Sequence, residues 1–249
     1  MLKKERQAFI LHRVNLHNKV LSASLSDEMK VSEDTVRRDL QELADEGRII
    51  KVHGGALSQS FNYAGNPIAK IYAHDLKKSI AQKAVSLIED GMFILTTGGT
   101  TILEIAKMLP LGLKATFISG SVPAVLEYSQ HPNIEVILIG DKVSKNSKIT
   151  VGGDAIAKIK QLRADLFLMG VNSIDPTHGI TDNDWDVVQV KKAMIESAGK
   201  TVCLTISEKL NSFQPIQICE LKKINMLITE LPPENPLLAP YRNAGITIL

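Results

Sequence analysis

From Asp75 to the end of the chain, short apolar runs alternate with amphipathic stretches, and this alternation restricts the fold more than any other feature. The runs predict strands at Met92–Thr96, Ala115–Ile118, Ile134–Ile139, Leu166–Met169 and Thr201–Ile206, with shorter ones at Met226–Thr229 and Ile246–Leu249. Between them the spacing predicts helices: one carrying Ile80, Ala84, Leu87 and Ile88, then Ile102–Leu109, Ala124–Gln130, Ala155–Leu162 and Val187–Ala198. Strands that are apolar throughout, rather than at every second residue, are buried on both faces. Residues 75–249 are therefore expected to form an α/β domain with a mostly parallel sheet covered on both sides. In such sheets a ligand sits beyond the carboxyl ends of the strands.

Small polar residues gather at those ends. Thr97-Gly-Gly-Thr-Thr101 follows the first strand and opens a helix, and Ser119-Gly-Ser121 follows the second. Gly152-Gly153 precedes a helix, Gly170-Val-Asn-Ser173 follows a strand, and Lys209 lies just past the strand ending at Ile206. Gly98 and Gly99 permit close backbone approach, and a helix N-terminus offers free N–H groups to an anion. A competing explanation is local: Thr101 with Glu104 reads as a capping box, which needs no ligand. Several such loops on one rim favour an anion cradle over coincidental turns. Neither a Gly-Lys-Ser/Thr phosphate loop nor a Gly-x-Gly-x-x-Gly dinucleotide fingerprint occurs in position.

Residues 1–57 carry a different pattern. Phe9, Ile10, Val14 and Leu16 give residues 3–16 the buried side of a helix. Leu21, Leu25 and Met29 mark a second, short helix with Ser22 as its N-cap. Val36, Leu40 and Leu43 mark a third, between Ser32 as N-cap and Gly47 as C-cap, with Glu33 and Asp34 favourably placed in its first turn. The last two helices are joined by about three residues, the helix-turn-helix arrangement. Alternation in Ile49–Val52 then predicts a strand, and Gly54-Gly55 supplies the positive φ of a hairpin, a wing. Residues 58–74 lose periodicity and collect Ser, Asn, Gly and Pro, as a linker does.

Arg37, Arg38 and Gln41 lie off the apolar stripe of the third helix, where a guanidinium could grip guanine O6 and N7 in the major groove. Ser32 and Thr35 in its first turn, and Arg48, Lys51 and His53 on the wing, complete the candidate DNA contacts. Asp39 would repel DNA, and its expected task is to orient an arginine. Residues 1–57 hold ten Lys/Arg and nine Asp/Glu, a balance of +1. DNA affinity must then come from where the charges point.

Val31-Ser-Glu-Asp-Thr-Val-Arg-Arg-Asp-Leu-Gln-Glu-Leu43, Gly47 four residues on, and Lys51-Val-His-Gly-Gly-Ala56 together resemble the N-terminal signature of DeoR-type bacterial transcriptional regulators. The family often has Arg where this chain has Lys51. Lys77-Lys-Ser-Ile-Ala81, Asp90-Gly91, Gly99-Thr-Thr101, Gly179-Ile-Thr181 and Ser207-Glu-Lys209 extend the resemblance over nearly the whole chain. It implies a winged helix-turn-helix domain followed by an effector domain similar in fold to ribose-5-phosphate isomerases. It also implies that a phosphorylated sugar or similar metabolite binds the rim loops, through Gly98, Gly99, Thr100, Thr101 and Lys209, with Ser119 and Ser121 as weaker contacts. Four positions depart from the family pattern. Thr97 and Ile206 stand where Asp is usual, Ser119-Gly-Ser121 replaces a Thr-Asn-Ser-like turn, and Gly140-Asp141 replaces Gly-Gly. Losing two acids puts the usual contacts to sugar hydroxyls in doubt, so the effector could differ.

The chain of 249 residues, with 44% hydrophobic and 22% charged residues, can bury a full core, and aromatics at 4% make that core mainly aliphatic. No apolar run is long enough to span a bilayer, and the charged N-terminus does not read as a signal peptide. A cytoplasmic protein without membrane association is expected. Cys203 and Cys219 sit in apolar runs without metal-ligand spacing, so buried thiols, no metal and no cofactor are expected. The expected function is a DNA-binding transcriptional regulator, a repressor of carbohydrate-metabolism genes, acting on double-stranded operator DNA as a dimer or tetramer and without a catalytic residue. The alternative is a sugar-phosphate isomerase-like enzyme with a DNA-binding appendage, for which Asp182 and Asp184 form the one acidic cluster in a plausible loop; a solvated turn explains that cluster more simply.

Overall fold

The computed structural model describes residues 1–59, 71–140, 142–145 and 147–249. The chain divides into two compact units, Met1–Tyr72 and Ala73–Leu249. Of the expected linker 58–74, residues 60–70 lie outside the described residues.

The first unit runs α1 (Lys3–His17), β1 (Lys19–Leu21), α2 (Ser22–Met29), α3 (Glu33–Asp45), β2 (Ile49–Val52) and β3 (Gly55–Ser58). Ile10, Val14, Leu25, Val36, Leu40, Leu43 and Ile49 meet in its core. The strands form an antiparallel sheet in the order β1-β3-β2, so the wing has a third strand. β1 is not legible beforehand: Lys19–Leu21 is three residues long, its Leu21 reads as part of the second helix, and it is a strand because Val20 pairs with Ala56 on β3. Ser22 is not an N-cap. Leu21 holds that position, while Ser22 is buried and its N–H donates to Gly54 O at 2.8 Å.

The ends of α3 fall where expected. Ser32 Oγ accepts from Thr35 N at 3.3 Å. Gly47, at φ +68°, follows the cap, with Gly47 N donating to Ala44 O and Arg48 N to Leu43 O, both at 2.9 Å. That pair of bonds is the left-handed helix stop that glycine permits. At the hairpin tip only Gly54 has positive φ. Gly55 is required for a different reason, since a Cβ there would lie 1.9 Å from Val20 O on β1. Asp39 does orient an arginine, but a distant one: it is buried and accepts from Arg6 Nε at 2.6 Å and Arg6 Nη2 at 3.1 Å, which ties α3 to α1.

The second unit begins with α4 (His74–Val85) and continues β4 (Phe93–Thr96), α5 (Thr100–Met108), β5 (Thr116–Ser119), α6 (Val122–Tyr128) and β6 (Glu135–Leu138). A small hairpin, β7 (Lys142–Val143) and β8 (Thr150–Val151), leads to α7 (Gly153–Lys160) and β9 (Ala164–Gly170). Then come β10 (Ser173–Asp175), β11 (Gly179–Asp182), α8 (Trp185–Glu196), β12 (Ala198–Leu204), β13 (Ile216–Cys219), β14 (Met226–Ile228), α9 (Ala239–Asn243) and β15 (Thr247–Ile248). Seven strands form one parallel sheet in the order β15-β14-β12-β9-β4-β5-β6. From β4 the chain builds outward to β6, then returns to build from β9 toward the opposite edge. The order thus reverses between β4 and β9, where an open parallel sheet leaves a crevice for a ligand.

Helices α5 to α8 each begin two residues before their first expected residue, because Thr100-Thr101, Val122-Pro123, Gly153-Asp154 and Trp185-Asp186 fill a first turn whose apolar side is not yet needed. A separate antiparallel sheet, β10-β11-β13, is absent from the sequence-based expectation. Its short strands lack a run of apolar residues, and their pairing depends on Gly179, where a Cβ would lie 2.2 Å from Cys219 O.

Candidate DNA-reading face and anion-binding rim

On α3 the buried side holds Val36, Asp39, Leu40 and Leu43. Helical spacing puts Asp34, Arg38, Gln41 and Asp45 on the opposite side, with Arg37 on the flank. The flank arginine is engaged: Arg37 Nη2 donates to Glu33 Oε2 at 3.1 Å and Nη1 to Asp34 Oδ1 at 3.2 Å. Arg38 is exposed and, among the described residues, has no ion pair. Gln41 Nε2 donates to Asp45 Oδ1 and Gln41 Oε1 accepts from Lys51 Nζ, each at 2.7 Å, so the helix and the wing strand present one continuous polar surface. Ser32 and Thr35 pair their hydroxyls at 2.9 Å, Arg48 reaches Glu46 at 3.4 Å, and His53 is exposed at the hairpin tip. None of the eight candidate DNA contacts is buried, and Lys51 with Gln41 joins the two groups they come from.

In the second unit the loops after β12, β9, β4 and β5 lie side by side, because those strands are neighbours running in one direction. Gly99, at φ +107°, is the N-cap of α5, so Thr100 and Thr101 are its first two residues. The capping-box explanation of Thr101 therefore fails. Glu104 is buried and turned away, accepting from Lys107 Nζ at 3.0 Å and lying 3.2 Å from His74 Nε2. Gly98 has no room for a side chain, since a Cβ would lie 2.8 Å from Ser121 Oγ. Thr97, where the family pattern has an acid, accepts from Gly170 N at 3.0 Å and so links the ends of β4 and β9.

Both serines are buried, and they differ in what they hold. Ser119 is fully buried; its hydroxyl donates to Thr96 O at 2.9 Å and accepts from Ser121 N at 3.1 Å, so it holds the loop. Ser121 accepts from Ala124 N at 3.4 Å as N-cap of α6. Lys209 is buried, with Nζ donating to Val171 O at 3.2 Å. Burial, then the neighbouring Lys77 and Lys191, pushes its ammonium down to about 7 against the pull of Asp182 and Glu208. Lys77, also buried, is lowered to about 8 by burial, which outweighs Glu104 and Glu208.

Lys77 and Lys191 were not among the expected contacts. The signal for Lys191 was present: it falls within the buried stripe of α8 beside Val187, Val190 and Met194. A lysine in an apolar stripe needs a partner, and Lys191 Nζ donates to Asp182 Oδ2 at 2.8 Å. The acidic loop is not a solvated turn. Asp182 is buried and also accepts from Asn172 Nδ2 at 3.1 Å and Asn183 N at 2.8 Å, while Asp184 caps α8 through Val187 N at 3.2 Å. Burial works to raise the Asp182 carboxyl, but the Lys191 charge and these hydrogen bonds overcome it and hold the group below its usual range. A small cavity lies beside them, lined by Thr97, Ser121, Lys191, Val187, Val190 and Met194. Asp141, one of the departures from the family pattern, lies outside the described residues. No helix among the described residues is long and apolar enough to cross a membrane.

The family model described as "DeoR C terminal sensor domain" matches residues 73–231, and that described as "DeoR-like helix-turn-helix domain" matches residues 6–61. The HTH-type transcriptional regulator GlpR of Haloferax volcanii is 29% identical over 100% of this chain and 98% of its own length. The HTH-type transcriptional repressor GlcR of Bacillus subtilis is 31% identical over 100% of this chain and 96% of its own. Among solved structures, ribose 5 phosphate isomerase A of Neisseria gonorrhoeae superposes with a TM-score of 0.42 at 16% identity, covering 56% of this chain and 54% of the isomerase.

Proposed function

This chain belongs to the DeoR family of transcriptional regulators, and from that membership we propose that it represses carbohydrate-metabolism genes, with operator affinity set by a phosphorylated sugar or related metabolite. The observation that carries the effector half of this reading is the charge of the rim. Lys191 pairs with Asp182 and Glu104 with Lys107, and Lys77 and Lys209 are buried in the same cluster, where burial outweighs the pull of Glu104, Asp182 and Glu208 on them. Their positive charge, together with the N–H groups of the first turn of α5, suits a phosphate monoester, which carries about −1.5 to −2 at neutral pH. Gly98, Gly99, Thr100 and Thr101 supply backbone and hydroxyl donors to it, and Lys209 the charge. Ser121 and Lys191, which line the cavity, are assigned to the hydroxyls of the sugar, while Ser119 fixes the loop.

The DNA half rests on Arg37, Arg38 and Gln41 of α3, on Ser32 and Thr35 at its start, and on Arg48, Lys51 and His53 of the wing. One such helix makes few base contacts, so the protein acts as a dimer on two half-sites. Effector and operator are coupled, typically by ~1–3 kcal/mol, or about 5–150-fold in affinity. The isomerase reading is disfavoured by Asp182, whose carboxyl is held by three donors with its proton affinity lowered, the opposite of what a general base needs.

The lysines give this reading a pH signature. The anion binds the charged forms, and in the free protein Lys209 loses its proton near pH 7 and Lys77 near pH 8. Affinity for a sugar phosphate should therefore fall by up to about tenfold per pH unit above 7, and more steeply above 8. Below about pH 6 it should fall again as the phosphate takes up its own proton. Calorimetric titrations from pH 5.5 to 9 in buffers of different ionisation enthalpy would show proton uptake on binding near pH 7.5. A flat profile between pH 7 and 9 would remove the two lysines from the site.

A further inference from the structure

We propose that His74 and Glu104 relay occupancy of the phosphate site to the start of α4, with Ala73 as the hinge. The inference rests on the phosphate reading above and names the residues that carry its signal out of the rim. Ala73 is the first residue of the second unit and the N-cap of α4. Its backbone is left-handed, at φ +52° and ψ +43°, a conformation that a residue with a Cβ rarely adopts. Such a conformation persists only where its surroundings impose it.

The neighbours of Ala73 are each tied down within their own unit. Tyr72 Oη lies 3.4 Å from His12 Nδ1 on α1, and His74 Nε2 lies 3.2 Å from Glu104 Oε2 on α5. Ala73 O accepts the first bond of α4, from Lys77 N at 3.1 Å. A strained residue between two anchored ones, at the end of a helix, is where a change of φ and ψ redirects the chain.

Glu104 connects this hinge to the rim. It is buried and lies on α5 three residues after Thr101. One of its oxygens takes Lys107 Nζ at 3.0 Å, and the other faces His74. The same carboxylate attracts Lys77, which follows His74 by three residues and so shares its side of α4. Three basic side chains thus share one buried carboxylate, and Lys77 is the one that the phosphate also claims. A phosphate at the first turn of α5 draws the Lys77 ammonium to itself. Glu104, left with less positive charge around it, bonds more strongly to His74 and Lys107. Of these two, His74 adjoins the hinge, so an occupied rim holds the first turn of α4 more firmly than an empty one.

The test is amide hydrogen exchange of the full chain in that turn, with and without inorganic phosphate, whose binding is followed separately by calorimetry. In the wild type, saturating phosphate is expected to slow exchange of the Lys77 and Lys78 amides at least about threefold, because the turn opens less often. His74→Ala is expected to bind phosphate as the wild type does and to lose that protection. His74→Lys, which returns a cation to Glu104, is expected to keep it. Equal protection in His74→Ala, or phosphate that binds the wild type without slowing exchange, would overturn the relay and leave the phosphate site standing. Loss of protection in His74→Lys as well would overturn it by showing that the packing of the imidazole, not its pairing, holds the turn. A wild type that binds no phosphate would overturn the site and the relay together.

Discussion

Replacing Arg38 by Ala is expected to weaken operator binding about 5- to 150-fold per half-site, the equivalent of ~1–3 kcal/mol for a lost bidentate guanine contact. Folding should be unaffected, because Arg38 lies opposite the buried side of α3 and is exposed. Its neighbour should matter less. Arg37 is already engaged by Glu33 and Asp34, so its contact with DNA replaces an existing pair instead of recruiting a free charge. The two kinds of contact separate by their salt dependence. If Arg38 reads a base, the loss is confined to sequences carrying that base and the salt slope barely changes. If it grips a phosphate, affinity falls on all sequences and the slope drops by about one. Unchanged affinity in the Arg38→Ala protein would remove it from the reading set.

Lys209→Met carries the second large effect, and its signature combines a loss with a gain. Removing the ammonium takes away a charge-assisted contact to the phosphate, so the effector concentration needed for half-response should rise about 10- to 150-fold. DNA affinity without effector should stay within about twofold of wild type. Thermal stability without effector should rise, because a buried, mutually repelled ammonium is replaced by an apolar chain of similar length. A variant that responds to effector at wild-type concentrations would show the phosphate site to be misplaced. One that is destabilised would show that the bond to Val171 O outweighs the cost of burying the charge.

Much of this was readable in the residues themselves. Val36, Leu40 and Leu43 with Ser32 and Gly47 define α3 because its caps and its stripe are both local, and the apolar runs define the parallel strands because each is continuous. What escaped depends on partners distant in sequence. β1 is a strand only beside β3, and β10, β11 and β13 only beside one another. Gly55 is explained by Val20 and Asp39 by Arg6, separations that no periodicity spans. At the rim, the loops were visible as small polar residues after strands, and Lys209 as one charge among them, but the cluster with Lys77 and Lys191 was not. Lys77, Lys191 and Lys209 come from three elements, and only the fold makes them neighbours. The competing explanation at Thr101, a capping box, fails because Gly99 is the N-cap and Glu104 turns to His74 and Lys107.

The central claim, a DNA-binding regulator retuned by a phosphorylated metabolite, is tested most directly by fluorescence anisotropy. The full chain would be titrated against a duplex selected from a random pool and against an unselected duplex, at two salt concentrations, with and without a panel of sugar phosphates and inorganic phosphate. The account predicts tight, salt-sensitive binding to the selected duplex, shifted about 5- to 150-fold by one class of phosphorylated compound and not by its unphosphorylated form. Equal affinity for both duplexes, or binding that no phosphorylated compound shifts, would contradict it.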